Sequence, residues 1–439
     1  MHYWPRWHPE PLPQRIVVES PRTEALQPPA RADHPVRREL VRVELDGVST
    51  VVAVIRPDGP GAAPALVFGH GAGTGNHTAF DEHAAVLAAR GIGCLVPDKD
   101  LARYSATQRD YGHMARQYRD LADWARTQPW AGQVGYYGES EGAWVMVPAA
   151  ADDAAAACLV LVSAPVVTPR EQGLYAVGTY LTEVGAPASL MDAGLRAVGT
   201  PMPFGTFPYA DFRADHGALR LPVLMAYGTA DLSMPVDQGA QQVRAEAAGP
   251  VTVLYYGEAN HGLRTGEDQH LVPEFLRDVA DWVLDPSVAP RVAGATPRQP
   301  FLAGPVPKTP RVQVQAALAM AGVTGVAAAV LRGRRPRPGN ASVPYAIGLV
   351  GTVATVAAHA AYVVQVAKLA TSYRKNPKLV RRGHRGLQAL SLVTGGALGV
   401  AAARTRQPTW RGAVGGIGAG VLFLLAGYWG AFGREDRLS

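Results

Sequence analysis

The stretch that most constrains this chain is Gly138-Glu-Ser140-Glu-Gly142, a serine held between two glycines. The run before it, Gln133 to Tyr137, reads as a buried strand, and the run after it, Ala143 to Val147, is apolar and can start a helix. Strand, tight turn and helix in that order put the serine on a strained corner, where bulkier flanking residues would collide with neighbouring strands. A bare Gly-x-Ser-x-Gly is common in a chain with 48 glycines, so the remaining residues must supply the partners that give it chemistry.

The elements around it are those of an α/β domain. Glu39 to Glu44 and Thr50 to Ile55 read as an antiparallel pair turning near Asp46-Gly47. Ala65 to Phe68, Gly93 to Val96, Cys158 to Val162, Val223 to Tyr227 and Thr252 to Tyr256 are short apolar strands. Helical patterns separate them, marked by Phe80, Ala84 and Leu87, by Met114, Tyr118, Leu121 and Ala125, and by Gln238 to Ala248 and Pro273 to Leu284. Apolar strands alternating with helices imply a doubly wound, mostly parallel sheet covered on both faces. The interval from 166 to 219 breaks this rhythm with helical pieces at about 171–183 and 189–198, so a helical lid is expected there.

A serine hydroxyl is a poor nucleophile at neutral pH and needs a base, which a carboxylate holds in one tautomer. Asp231 follows the strand ending at Tyr227, and His261 follows the strand ending at Tyr256. Loops after parallel strands converge on one edge of the sheet, so Ser140, Asp231 and His261 are the expected catalytic set. Asp237 is a weaker rival, since an acidic residue in a first helical turn suits the helix dipole anyway. A tetrahedral oxyanion needs two backbone donors. One is expected from Glu141, at the start of the helix, and one from Gly69-His70-Gly71-Ala72-Gly73, with Ala72 first and Gly71 second. His70 is expected to brace that loop.

These segments together, His70-Gly71-Ala72-Gly73, Gly138-Glu-Ser140-Glu-Gly142, Gly228-Thr-Ala-Asp231 and Asn260-His261-Gly262, resemble the α/β-hydrolase superfamily, nearest its dienelactone-hydrolase and acyl-hydrolase-like branch. The resemblance covers residues 38–285. It implies a Ser-His-Asp triad, ester or thioester substrates, and neither metal nor other cofactor. Two departures stand out. Glu139 and Glu141 flank the serine where many relatives carry His, Gln or Met. Asp98-Lys99-Asp100 stands where the family often has Asp-x-Arg-Gly. Acyl transfer to an acceptor other than water, and a non-catalytic binding module, are the readings left open.

Charge divides the chain. Residues 301–439 hold 18 Lys and Arg against 2 Asp and Glu, while residues 1–300 hold 24 against 34. The basic excess lies in loops between four apolar runs, about 312–331, 345–366, 387–403 and 412–432, near the roughly 20 residues that span hydrocarbon. This pattern suggests an all-α transmembrane bundle (312–432) more than nucleic-acid binding. Residues 286–311 read as a Pro-rich linker, 1–37 as a Pro/Trp-rich tail and 433–439 as a short tail. Seven basic residues between the second and third runs place that loop, and the hydrolase domain, on the cytoplasmic side. Cys94 and Cys158, each in an apolar strand, fit a reducing compartment. His359 is the ionisable group inside an apolar run, and a neutral imidazole bonded between helices is its plain reading. Gly395-x-x-x-Gly399 and Gly416-x-x-x-Gly420 suit close helix packing within the bundle or with another copy. Expected partners are therefore an acyl ester, lipid-like or small, and the bilayer.

Overall fold

A computed structural model of the chain describes residues 10–21, 33–105, 107–186, 190–191, 208–285, 289–304 and 376–403, with scattered positions between 351 and 369 and residue 422. Two compact units are present, one formed by Glu10–Tyr175 with Thr206–Ala303, the other by Met1–Pro9, Ala176–Gly205 and Gly304–Ser439.

The first unit is built on a nine-stranded sheet. In chain order its strands are β1 (Val36–Leu45), β2 (Val48–Pro57), β3 (Ala63–Gly69), β4 (Gly93–Pro97), β5 (Ala131–Glu139), β6 (Leu159–Val162), β7 (Val223–Gly228), β8 (Val251–Tyr256) and, after a two-stranded hairpin of β9 (Arg264–Thr265) and β10 (His270–Leu271), β11 (Val292–Gly294). Their order across the sheet is β1-β2-β4-β3-β5-β6-β7-β8-β11. The β1–β2 and β2–β4 pairs are antiparallel, and every pair from β4 to β11 is parallel. Asp46 and Gly47, at φ 47° and 78°, make the left-handed turn that closes the first hairpin.

The helices α1 (Asp81–Ala89), α2 (Tyr111–Arg126), α3 (Gly142–Ala151), α4 (Pro169–Glu183), α5 (Val236–Glu246) and α6 (Pro273–Leu284) follow the strands. Alternate strand residues feed two separate cores. Val52, Val54, Ala65, Val67 and Leu161 pack with Met114, Leu121, Val145 and Val243 of α2, α3 and α5. Ala53, Ile55, Leu66, Phe68 and Val160 pack with Leu87 of α1 and Phe275, Val279 and Trp282 of α6. A strand's period of two thus serves both faces, which is why these strands read as continuous apolar runs. This is the mostly parallel, doubly covered sheet that the sequence implied. Cys94 and Cys158 are buried free thiols within it.

Two expectations need correction. The segment read as a linker supplies β11, parallel to β8, and buries Gln299, Phe301 and Ala303, so the sheet domain runs on to residue 303. Its few apolar residues carry no period, because one three-residue strand and one glutamine do the docking. Gln299 accepts the amide N–H groups of Asp237 and Gln238 at 3.0 and 2.9 Å, first-turn donors of α5 that have no partner within the helix. Part of the N-terminal tail also docks: Ile16 N–H donates to Asp237 at 2.8 Å, and Glu19 N–H donates to the Val292 carbonyl at 2.8 Å.

The expected bundle is not shown. Among the described residues no helix is long and apolar enough to cross a membrane. The run at 387–403 falls inside α7 (Pro377–Ala403), whose opening turns carry Lys378, Arg381, Arg382 and Arg385. The runs at 312–331 and 412–432, Leu422 apart, lie outside the described residues, as does most of 345–366. Within this second unit Tyr362 donates to the Val380 carbonyl at 2.6 Å, and a Cβ on Gly383 would lie 2.6 Å from the Tyr362 ring. His359 bonds through Nδ1 to the Thr355 carbonyl at 2.7 Å, one turn back on its own segment.

Candidate active site

β5 ends at Glu139, and the next residue reverses the chain. Ser140 has φ 53°, in the left-handed region that costs a non-glycine residue about 1–3 kcal/mol. Neighbouring backbone over-determines this turn. Ser140 N–H donates to the Val162 carbonyl at 2.9 Å, and Ala143 N–H donates to the Ser140 carbonyl at 2.9 Å to open α3. The flanking glycines are required by close approach. A Cβ on Gly142 would lie 2.3 Å from the Gly69 carbonyl oxygen, and one on Gly138 would lie 2.9 Å from that of Gly142. The serine can therefore stand above the sheet edge only because Gly138 and Gly142 lack side chains.

Asp231 and His261 arrive on loops that are bonded to each other. Past β7, Thr229 N–H donates to the Tyr256 carbonyl and Ala230 N–H to that of Ala259, both at 2.9 Å. Thr229 Oγ1 accepts from Glu258 N–H at 2.9 Å. Thus the three expected residues meet. His261 Nδ1 lies 2.8 Å from Asp231 Oδ2, and His261 Nε2 lies 3.0 Å from Ser140 Oγ. With Nδ1–H pointed at the carboxylate, Nε2 is left as the acceptor for the serine proton. Asp231 is 1 % exposed, and its other oxygen accepts from Ser233 N–H at 2.8 Å and Ser233 Oγ–H at 2.6 Å. Ser163, fully buried, donates to the His261 carbonyl at 2.7 Å. Burial pulls the His261 pKa down, but Asp231 and then Glu139 outweigh it and hold the imidazole above its usual value.

Asp237 is elsewhere. It is buried on α5, where it takes the Ile16 amide and Gln241 Nε2, so it anchors the N-terminal segment.

The loop after β3 lies against the serine: a Cβ on Gly71 would sit 3.4 Å from Ser140 Cβ. Gly71 is thus at the serine, with Ala72 next to it in the chain, and Glu141 N–H begins the helix beside it. His70 braces the loop as expected, through Nε2–H to the Pro97 carbonyl at 2.6 Å and by stacking on Phe80 at 5.4 Å. Burial brings its pKa down to about 4, so the ring is neutral and Nε2 carries the proton.

The residues that the sequence reading left out surround the Glu141 side chain. Glu141 is 2 % exposed, accepts from Lys99 Nζ at 3.1 Å, Tyr104 OH at 2.6 Å and Tyr111 OH at 3.0 Å, and forms an ion pair with Arg109, whose Nη1 lies 2.7 Å away. Lys99 also donates to the Gly71 carbonyl at 2.9 Å and lies 3.6 Å above the centre of the Tyr104 ring. Burial pulls the Lys99 ammonium below the ordinary lysine value, and Glu141 works against that. Tyr104 is pushed up to about 12, by burial and then by Glu141, which keeps its phenol a donor. Asp98-Lys99-Asp100 offered one signal, a lysine pinned between two acids. Tyr104 and Arg109 offered none.

The described part of the interval where a lid was expected also reaches this region. Trp144 Nε1–H donates to the Val167 carbonyl at 2.9 Å, Gln172 to that of Ser233 at 3.0 Å, and Phe212 packs on Tyr111 at 4.9 Å between ring centres. The second expected lid helix, 189–198, lies outside the described residues apart from 190–191. Among the described residues no cluster of three or more metal-ligating side chains occurs.

No family model matches this chain, and no curated protein matches it. Solved structures do. A dienelactone hydrolase from Anabaena variabilis is 19 % identical over 56 % of this chain and 93 % of its own, with a TM-score of 0.37. An esterase from Pyrobaculum calidifontis is 18 % identical over 58 % and 86 %, with a TM-score of 0.43. A 2,6-dihydroxy-pseudo-oxynicotine hydrolase is 16 % identical over 60 % and 72 %, with a TM-score of 0.43.

Proposed function

We propose that this chain is a serine hydrolase that cleaves a carboxylic ester or thioester through an acyl-enzyme. The observation that carries the reading is the unbroken relay from Ser140 Oγ to His261 Nε2 at 3.0 Å and from His261 Nδ1 to Asp231 at 2.8 Å. In this reading Ser140 Oγ attacks the acyl carbonyl carbon as its proton passes to His261 Nε2. The carbonyl oxygen takes the electron pair and is met by the N–H groups of Ala72 and Glu141, with Gly71 as the second choice on the loop. Collapse breaks the bond to the alcohol or thiol, which leaves with the proton from His261. Water then repeats the sequence on the acyl-serine and restores the hydroxyl. Asp231 holds the imidazole tautomer throughout. Short-chain p-nitrophenyl esters and acyl thioesters are the first substrates to offer. Turnover by wild type that disappears in Ser140→Ala supports the reading, and equal turnover by both proteins overturns it.

Glu139 is expected to set the acid limb of that activity. The base works only when neutral, so activity falls as pH drops through the His261 pKa, which Asp231 and Glu139 hold above the usual histidine value. Glu139→Gln removes one of the raising charges, so the acid limb of kcat/KM should move to lower pH, with the plateau kept. The stability linkage runs the other way: the raised pKa contributes stability below the ordinary histidine value that is lost as pH rises through the folded value. An acid limb that stays in place in Glu139→Gln would show that the glutamate does not act on His261.

We further propose that residues 312–432 attach the chain to a bilayer, with the hydrolase unit on the cytoplasmic side. The four apolar runs and the basic loops between them support this. Full-length protein should float with liposomes in a density gradient and resist carbonate extraction, and a chain ending at residue 303 should stay in the aqueous fractions. Equal behaviour of the two would contradict the attachment.

A further inference from the structure

Both expected oxyanion donors are joined to one buried side chain, and this has a consequence for the reaction proposed above, on which the inference rests. The loop 69–75 contributes the Ala72 N–H, and its backbone polar groups on either side of that residue are occupied. The Gly71 carbonyl accepts from Lys99 Nζ at 2.9 Å, and Gly73 N–H donates to Tyr104 OH at 2.9 Å. Two more bonds tie the same loop to the same segment, His70 to the Pro97 carbonyl at 2.6 Å and Lys99 N–H to the Gly75 carbonyl at 3.1 Å. Lys99 and Tyr104 then both donate to Glu141 Oε2, at 3.1 and 2.6 Å. Glu141 is the residue whose own N–H is the other expected donor.

Loops on separate strand ends have no intrinsic reason to hold two N–H groups at one spacing. Here a carboxylate on one side and an ammonium and a phenol on the other form a brace between them. The Lys99 side chain is fully buried, so this brace is not exchanged for water. Charge points the same way. A lone carboxylate beside a developing oxyanion would oppose it. Glu141 instead sits between Lys99 and Arg109, 3.1 and 2.7 Å away, and the group as a whole carries one net positive charge. The brace itself is supported from behind. Asp100 accepts from His113 at 3.1 Å and Gln117 at 3.3 Å, which pins the segment carrying Lys99 to α2.

We propose that Lys99 and Tyr104 are positioning residues that register the Ala72 N–H against the Glu141 N–H through the Glu141 carboxylate, so that the oxyanion hole is preformed. Neither touches the substrate. Their contribution appears when charge develops on the carbonyl oxygen and not when the ester binds.

The test uses full-length protein, with active sites counted by phosphonate titration and folding checked by thermal melting. Lys99→Met removes the ammonium but keeps an apolar stem. Tyr104→Phe keeps the ring beneath Lys99 and removes only the hydroxyl. Losing one oxyanion donor typically costs about 10²–10³ in kcat, so Lys99→Met should lower kcat by about 10²-fold and Tyr104→Phe by about tenfold. KM should stay within about twofold in both. A trifluoromethyl ketone matched to the ester should lose affinity by the same factor as kcat/KM, while the acid limb of the pH profile stays at its wild-type position. Unchanged kcat in folded, titratable Lys99→Met and Tyr104→Phe would overturn the proposal while leaving the hydrolase reading intact. A wild type that turns over no ester or thioester removes the hydrolase reading instead. Should Lys99→Met fail to fold, Tyr104→Phe alone decides between kcat loss at constant KM and no change.

Discussion

Ser140→Ala is expected to lower kcat for ester or thioester hydrolysis by about 10⁶-fold, the scale seen when a triad nucleophile is removed. The loss should be this large because Oγ is the atom that forms the acyl bond in the proposed reaction, and Ser233, the nearby hydroxyl bonded to Asp231, is committed there at 2.6 Å. The fold should survive the change. Ser140 holds its place by backbone bonds to Val162 and Ala143, which alanine keeps, and the left-handed φ of 53° is already present without glycine. Melting temperature should therefore move little while activity vanishes. Adding His261→Ala to Ser140→Ala should cost almost nothing more, since groups that act as a unit do not contribute additively. Steady-state kinetics beside a thermal melt checks both halves. A variant that keeps more than about a hundredth of wild-type kcat would mean that Oγ is not the attacking atom.

Glu141→Ala should act on stability. Its carboxylate is 2 % exposed and holds Lys99, Arg109, Tyr104 and Tyr111. Breaking a buried ion pair from one side typically costs about 3–5 kcal/mol, because the partner is left charged and dry. Lys99 has a fully buried side chain with no path to water, whereas Arg109 is 21 % exposed and can turn outward. The loss should therefore fall mainly on Lys99, and the melting temperature should drop by on the order of 10 °C. Lys99→Met should recover part of that loss when added to Glu141→Ala, since it removes the stranded charge. Calorimetry on the four proteins of this cycle measures the coupling. Additive losses in the cycle would mean that the two side chains do not support each other.

The fold was largely legible in the sequence because burial on both faces leaves an unmistakable mark. Leu66, Val67 and Phe68 are apolar in succession, since Val67 faces one core and Leu66 and Phe68 the other. The meeting of Ser140, Asp231 and His261 was legible too, since each lies on the loop that follows an apolar strand, where the parallel sheet delivers its loops to one edge. Short-range patterning failed where contact is made by few residues. β11 is three residues long and has no period to read, and the burial of Gln299 depends on α5 starting where it does. The Glu141 side chain, as distinct from its N–H, was visible only as a departure from what the family carries beside its serine. Its three donors and its Arg109 ion-pair partner come from residues 99 to 111, a stretch with no motif, and only the folded chain brings them to one carboxylate. The apolar runs after residue 311 remain a matter of sequence, since no described helix is long and apolar enough to span a bilayer.

The account turns on whether Ser140 is an activated nucleophile. Treating full-length protein with a fluorophosphonate, and mapping the adduct by mass spectrometry, measures this without knowledge of the substrate. The account predicts one phosphonyl group per chain, on the peptide containing Ser140, absent from Ser140→Ala and strongly slowed in His261→Ala. Wild type that takes up no phosphonate, or takes it up equally after Ser140→Ala, would contradict it.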